Sequence, residues 1–114
     1  MFREGGILTP DAIDRWWPFQ VAVQAHLCTG KHDRKQRDFC RDLSLCSRVD
    51  FVTDDDGRAY RVFCFANPED ARRFRKAFEG APLYPEDRGT GLSRSKWNRP
   101  FGDVRRKAPL SYEA

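Results

Sequence analysis

From Phe19 onward the chain alternates. Phe19, Val21, Val23, Ala25 and Leu27 fall on one side, and Gln20, Ala22, Gln24, His26 and Cys28 on the other, the period of a half-buried strand. Gln20, Gln24 and His26 form its outward set. Thr29-Gly30-Lys31-His32 reads as a loop, and Asp33 as the cap of an amphipathic helix reaching about Cys46. Phe39, Leu43 and Cys46 share the apolar stripe of that helix, whereas Arg34, Lys35, Arg37, Asp38, Arg41 and Asp42 lie mostly off it. A second strand over residues 49–53 leads into Asp54-Asp55-Asp56-Gly57, whose Asp-Gly pair tolerates the positive φ of a hairpin turn. Residues 59–65 form a third strand with Tyr60, Val62 and Cys64 on one face and Ala59, Arg61, Phe63 and Phe65 on the other. It is apolar on both sides, which predicts a central strand covered front and back.

The sharpest boundary follows. Asn67 is a good N-cap, Pro68 fits the first helical position, and Glu69 and Asp70 suit the positive end of a helix dipole. Ala71, Phe74, Ala77 and Phe78 make the apolar stripe, Arg72, Arg73, Arg75 and Lys76 surround it, and Gly80 is placed to end the helix. Leu83-Tyr84, between Pro82 and Pro85, fits a short edge strand. Toward the N-terminus, after a flexible Gly5-Gly6 pair, Thr9 and Pro10 open a short helix that ends in Trp16-Trp17. Beyond Pro85, Gly, Ser, Arg and Pro dominate, with Leu92, Trp97, Phe101, Val104 and Leu110 as isolated anchors. The chain therefore divides into an N-terminal arm with a short helix (1–17), an α+β domain (18–85) and a basic C-terminal arm (86–114) that is flexible alone and ordered on a surface.

Right-handed crossovers around both helices place strands one and three side by side, with the helices together on one face. The expected fold is a ferredoxin-like βαββα(β) sandwich, an antiparallel sheet with two helices on one face. Two helices leave the other face of the third strand uncovered. Either the Trp-bearing arms fold over it or a second copy does, and a homodimer through sheet faces or the weak fourth edge is the expectation.

The 114 residues are 39% hydrophobic and 33% charged, which allows one small core under a heavily solvated surface. No apolar run approaches the roughly 20 residues of a membrane span. The first residues do not read as a secretory signal, so a cytoplasmic location is expected, with Cys28, Cys40, Cys46 and Cys64 as reduced, buried thiols. The net charge of +4 is uneven. Residues 1–85 hold 14 basic and 13 acidic side chains, residues 86–114 hold 7 and 4.

The segment Tyr60-Arg61-Val62-Phe63-Cys64-Phe65-Ala66-Asn67-Pro68-Glu69-Asp70-Ala71 carries two resemblances. It resembles short uncharacterised bacterial proteins with a Phe-Cys-Phe-Ala-x-Pro-x-x-Ala run before an Arg- and Phe-rich helix, which implies a small cytoplasmic α+β protein. It is also similar to the third strand and second helix of RNA-recognition-motif domains, over about a fifth of the chain. In that motif, aromatics on strands three and one stack on bases. Aligned through Phe65, Tyr60 fills the first aromatic place, Val62 stands at the second, and no glycine occupies the motif's position. The resemblance reaches the fold and mostly fails at the binding surface.

Candidate chemistry is sparse. His26, Cys28 and His32 fall close together as weak zinc ligands, but no Cys-x2-Cys pair accompanies them. A Cys-His thiolate pairing lacks a distinguishing arrangement. The Asp54–Asp56 run fails the calcium-loop pattern, because acids would be needed at Val52 and Phe63. No catalytic residues or cofactor site can be placed. Partner-binding candidates are Trp16, Trp17, Tyr60, Trp97 and Phe101. Nucleic-acid candidates are Tyr60, Arg72, Arg73, Arg75, Lys76, Arg94, Lys96 and Arg99, with Arg105, Arg106 and Lys107 adding charge further along. The expected function is a small non-enzymatic, self-associating protein-interaction module. RNA or single-stranded DNA binding is the alternative, and zinc binding ranks below it.

Overall fold

A computed structural model describes residues 9–89 and 94–97. Its elements are α1 (Pro10–Trp16), β1 (Phe19–Gln24), α2 (Lys31–Phe39), β2 (Asp50–Thr53), β3 (Ala59–Phe65), α3 (Pro68–Phe78) and β4 (Ala81–Leu83), with 3-10 turns at Ala25–Leu27 and Pro85–Asp87. The strands form one antiparallel sheet in the order β2-β3-β1-β4, so β1 and β3 are the central pair. The chain is an α+β protein. No helix among the described residues is long and apolar enough to cross a membrane.

Local chemistry accounts for the ends of several elements. Thr9 Oγ accepts the N–H of Ala12 at 3.1 Å, and Pro10 supplies the first turn of α1. Asn67 Oδ1 accepts from Glu69 N–H at 2.8 Å ahead of Pro68 in α3. At the hairpin, Asp54 Oδ1 accepts the N–H groups of Asp56 and Arg58, and Gly57 takes φ +82°.

The sheet has two covered faces. On one, Val21, Val23, Phe63 and Phe65 pack against Ala71 and Phe74, with Cys28 and Cys40 in the same cluster. Phe74 is the hub, its ring centroid 4.4 Å from Phe63, 5.5 Å from Phe65 and 4.8 Å from Phe78. Burying a side chain of this size stabilises by roughly 1.5–3 kcal/mol. On the other face, Ala22, Val52, Tyr60, Val62, Cys64 and Leu83 are closed over by Ile13 and Trp17 from the N-terminal side and Trp97 from the C-terminal side.

Of the two coverings expected for that second face, the arms supply one within a single chain. The sequence reading is corrected at Gln20, which was assigned to the outward set and is 0% exposed. Its amide donates to Asp14 Oδ1 at 2.9 Å and to the Trp17 carbonyl at 3.2 Å, while its oxygen accepts from Arg88 at 3.1 Å. Periodicity marked its face correctly but took its polarity for exposure.

Other boundaries also move. β1 stops at Gln24, opposite Tyr60 and one residue short of the start of β3 at Ala59; Ala25–Leu27 turn instead, so His26 and Cys28 do not share a strand face. α2 starts at Lys31 behind Gly30 (φ +56°), which leaves Asp33 in its first turn rather than at the cap. It ends at Phe39, well short of Cys46, because residues 44–46 run beside the end of β3: Leu45 bridges Phe65 and Cys46 N–H donates to the Cys64 carbonyl at 2.8 Å. Ala77 is exposed, and the α3 stripe is Ala71, Phe74 and Phe78. The left-handed residue closing α3 is Glu79 (φ +53°), not Gly80. The fourth strand is Ala81–Leu83, slightly earlier than Leu83-Tyr84, and Pro82 is tolerated because β4 is an edge.

Candidate functional site

Between Leu45↔Phe65 and Asp50↔Val62, residues 46–49 face only Phe63 and Cys64 on β3. The surplus backbone bulges outward and leaves Ser47, Arg48 and Val49 exposed at the start of β2. Beneath this bulge a groove of about 340 Å3 runs between β3 and the segment following α2. Arg37, Arg41, Arg48 and Arg61 line it over an apolar floor that includes Leu43, Leu45 and Phe63, and no carboxylate contributes to the lining.

The arginines arrive from three places: Arg37 from α2, Arg41 and Arg48 from the connection between α2 and β2, and Arg61 from β3. Arg61 stands on the helix-covered face of β3, its guanidinium 4.9 Å from the Phe63 ring centroid and its Nη1 donating to Asp33 at 2.6 Å. The stem of such a side chain covers apolar surface while the head reaches the groove. Its bond to Asp33, more than any other contact, holds the Asp33 carboxyl below the usual carboxylate range. Arg37 pairs with the same carboxylate at 3.0 Å, and Arg41 with Asp38 at 2.9 Å. The Arg41–Asp38 pair and the Arg37 side of the other are largely exposed, a setting in which ion pairs contribute about 0–1 kcal/mol. Across the ladder from Arg61 lies Phe51, on the same face and 53% exposed, with Val49 at 47%. The groove is thus cationic along its walls, apolar at its floor and flanked by exposed apolar side chains.

The other arginine cluster is a closed network. Arg88 Nη1 reaches Asp50 Oδ2 at 3.0 Å, and Arg94 bridges Asp50 at 2.9 Å and Asp14 at 2.6 Å. Burial works against the Asp50 charge, but hydrogen bonds and charges from Arg88 and Arg94 outweigh it and lower its pKa. Burial likewise opposes the Arg94 charge, and its bonds to Asp14 and Asp50 raise its pKa in spite of it. Two positive and two negative groups balance one another in charge, although Arg88 Nη2 makes no hydrogen bond, and the ion pairs tie α1, Arg88 and Arg94 to Asp50 at the start of β2.

The residues singled out from sequence are dispersed. Tyr60 is buried, donates to Asp54 Oδ2 at 2.9 Å and meets the Trp97 ring edge-on at 5.1 Å. Trp97 is 1% exposed and Trp17 is half-buried, so these aromatics pack inward; Trp16 alone of the described tryptophans is exposed. Arg94 is committed to Asp14 and Asp50, and Lys96 is exposed. Arg72 pairs with Glu69, Arg75 is half-buried, and Arg73 and Lys76 are exposed. His26 and His32 are exposed, whereas the Cys28 thiol is buried against the carbonyls of Val23 and Gln24. Among the described residues no group of three or more His, Cys, Asp or Glu is placed to hold a metal. Gly5, Gly6, Leu92, Arg99, Phe101, Val104, Arg105, Arg106, Lys107 and Leu110 lie outside the described residues.

The groove was not anticipated. Its one trace in the sequence is Arg61, a charge amid the apolar alternation of β3. Compared with known proteins, the chain matches no family model, no curated protein and no solved structure.

Proposed function

We propose that this chain is a ferredoxin-like, non-enzymatic interaction module that binds a partner through the arginine-lined groove and its Val49–Phe51 flank. The carrying observation is the coincidence of four guanidiniums, an apolar floor and two exposed apolar side chains on one side of the sheet. Aromatic and Arg side chains are the types that dominate binding energy at interfaces. The strand order β2-β3-β1-β4, with helices following β1 and β3, supports the ferredoxin-like assignment. Burial raises the thiol pKa of Cys28, Cys46 and Cys64, and pushes Cys40 up to about 12, which argues against thiolate chemistry. Nucleic-acid binding through Tyr60 is disfavoured by the Trp97 ring lying against it.

The test is selection from a random peptide library displayed on phage, run in parallel on the intact protein and on Phe51→Ser. Peptides enriched on the first and lost on the second support the module. Equal enrichment on both, or none on either, overturns it.

A further inference from the structure

Resting on the groove as the contact site, we infer that its occupant is an acidic peptide segment carrying a bulky apolar anchor, presented by a partner protein. Three properties of the groove choose this class. First, the fork of a guanidinium matches a carboxylate through paired hydrogen bonds, and Arg37, Arg41, Arg48 and Arg61 line the groove; Asp33, shared by Arg37 and Arg61, and Asp38, on Arg41, offset part of their charge and leave the lining net cationic. Arg61 is preorganised, because Asp33 and the Phe63 ring fix its plane before any ligand arrives. Second, Leu43, Leu45 and Phe63 form an apolar floor, and the volume of about 340 Å3 sits at the small end of ligand pockets. It accommodates an anchoring side chain and its neighbours, with Val49 and Phe51 extending the apolar surface toward the sheet edge.

Third, the surrounding charge selects against a nucleic acid. Asp38 and Asp42 are exposed beside Arg37 and Arg41, and Asp55 and Asp56 are exposed at the far end of the β2–β3 hairpin. A polyphosphate backbone carries a negative charge at every repeat and cannot avoid acids set among the bases around the groove. A peptide sets its carboxylates opposite the arginines and neutral residues elsewhere.

The same charges exclude two occupants from this chain. A second copy docking groove to groove brings four arginines against four. Residues 98–114 carry Arg99, Arg105, Arg106 and Lys107 against Asp103 and Glu113, so the C-terminal segment is of the same sign as the walls. Like charge at a contact disfavours both.

The test is fluorescence anisotropy on the full chain with three labelled probes: a short peptide of Glu and Asp around a central Trp-Leu pair, its Gln and Asn counterpart, and a single-stranded oligothymidylate. The acidic peptide is expected to bind, to weaken with added salt, and to lose about tenfold in affinity with Arg48→Glu and with Arg41→Glu. Both substitutions are at exposed positions, and near-ultraviolet circular dichroism confirms that the variants keep their fold. The amide counterpart is expected to bind about tenfold more weakly. Equal binding of the two peptides, unchanged affinity in both variants, or tighter binding of the oligonucleotide overturns the inference. If phage selection yields neutral or basic peptides that still require Phe51, the acidic class is wrong and the module stands. If it yields no peptides, the module itself falls.

Discussion

Arg88, its side chain 1% exposed, donates to Asp50 Oδ2 at 3.0 Å and so joins the segment after β4 to the first residue of β2 across the sheet. Removing one member of a buried pair leaves the other as an uncompensated charge, which destabilises by about 3–5 kcal/mol. Asp50→Ala is therefore expected to lower the unfolding free energy by about that amount in urea denaturation. Asp50→Ala combined with Arg88→Leu is expected to recover part of the loss, because no charge then remains unpaired at Gln20.

The same carboxylate sets an acid limit. Asp50 titrates below its unfolded value of about 3.9, so its contribution is fully present above that pH and is lost as pH falls through the lower folded-state value. Unfolding free energy measured from about pH 6 downward is expected to fall below about pH 4. Asp50→Asn, less stable at neutral pH, is expected to show a shallower fall.

Trp97 closes the second face over Tyr60. Truncating a buried aromatic costs about 3–5 kcal/mol, so Trp97→Ala is expected to be destabilised on that scale. It also uncovers apolar sheet surface. Light scattering is expected to show concentration-dependent association of this variant beyond that of the wild-type chain.

At the end of α3, a Cβ on Gly80 would overlap Val21 Cγ1 and stand 3.3 Å from the Ala22 carbonyl oxygen. Gly80→Ala is expected to destabilise by about 1–3 kcal/mol through overpacking. Its neighbour behaves oppositely. Glu79 holds φ +53°, and Glu79→Gly is expected to stabilise by about 0.5 kcal/mol, the relieved strain exceeding the added chain entropy. Thermal melts of the two variants check the opposite signs.

The four cysteines are buried, and burial raises their thiol pKa values. A chromogenic thiol reagent at neutral pH is expected to react slowly with native protein and with all four groups promptly in urea.

The groove shows why a site of this kind escapes sequence reading. Arg37 and Arg41 read as the solvated side of a helix, Arg48 falls in a segment with no period, and only Arg61 interrupts a pattern. They converge because α2 stops at Phe39 and residues 44–46 turn back along β3. That stop is set by the length of β3 that extends past its pairing with β2 and is taken by Leu45, a tertiary feature. Tyr60 and Trp97 err in the reverse sense, since residue type marked them for a ligand and each was taken by the other.

Alternation along 59–65, the Asn67-Pro68 helix start and the Asp54–Gly57 turn were determined by the chain itself, because strand pleat, capping and turn geometry involve neighbours a few residues apart. The adjacency of β1 and β3 followed from them through the handedness of crossovers. Which polar residues are buried, what closes the second face and where four arginines meet were decided only in three dimensions. Gln20 and Arg88 become core residues, with Asp50 half-buried beside them, because segments distant in sequence supply one another's hydrogen bonds, and no local pattern encodes that pairing.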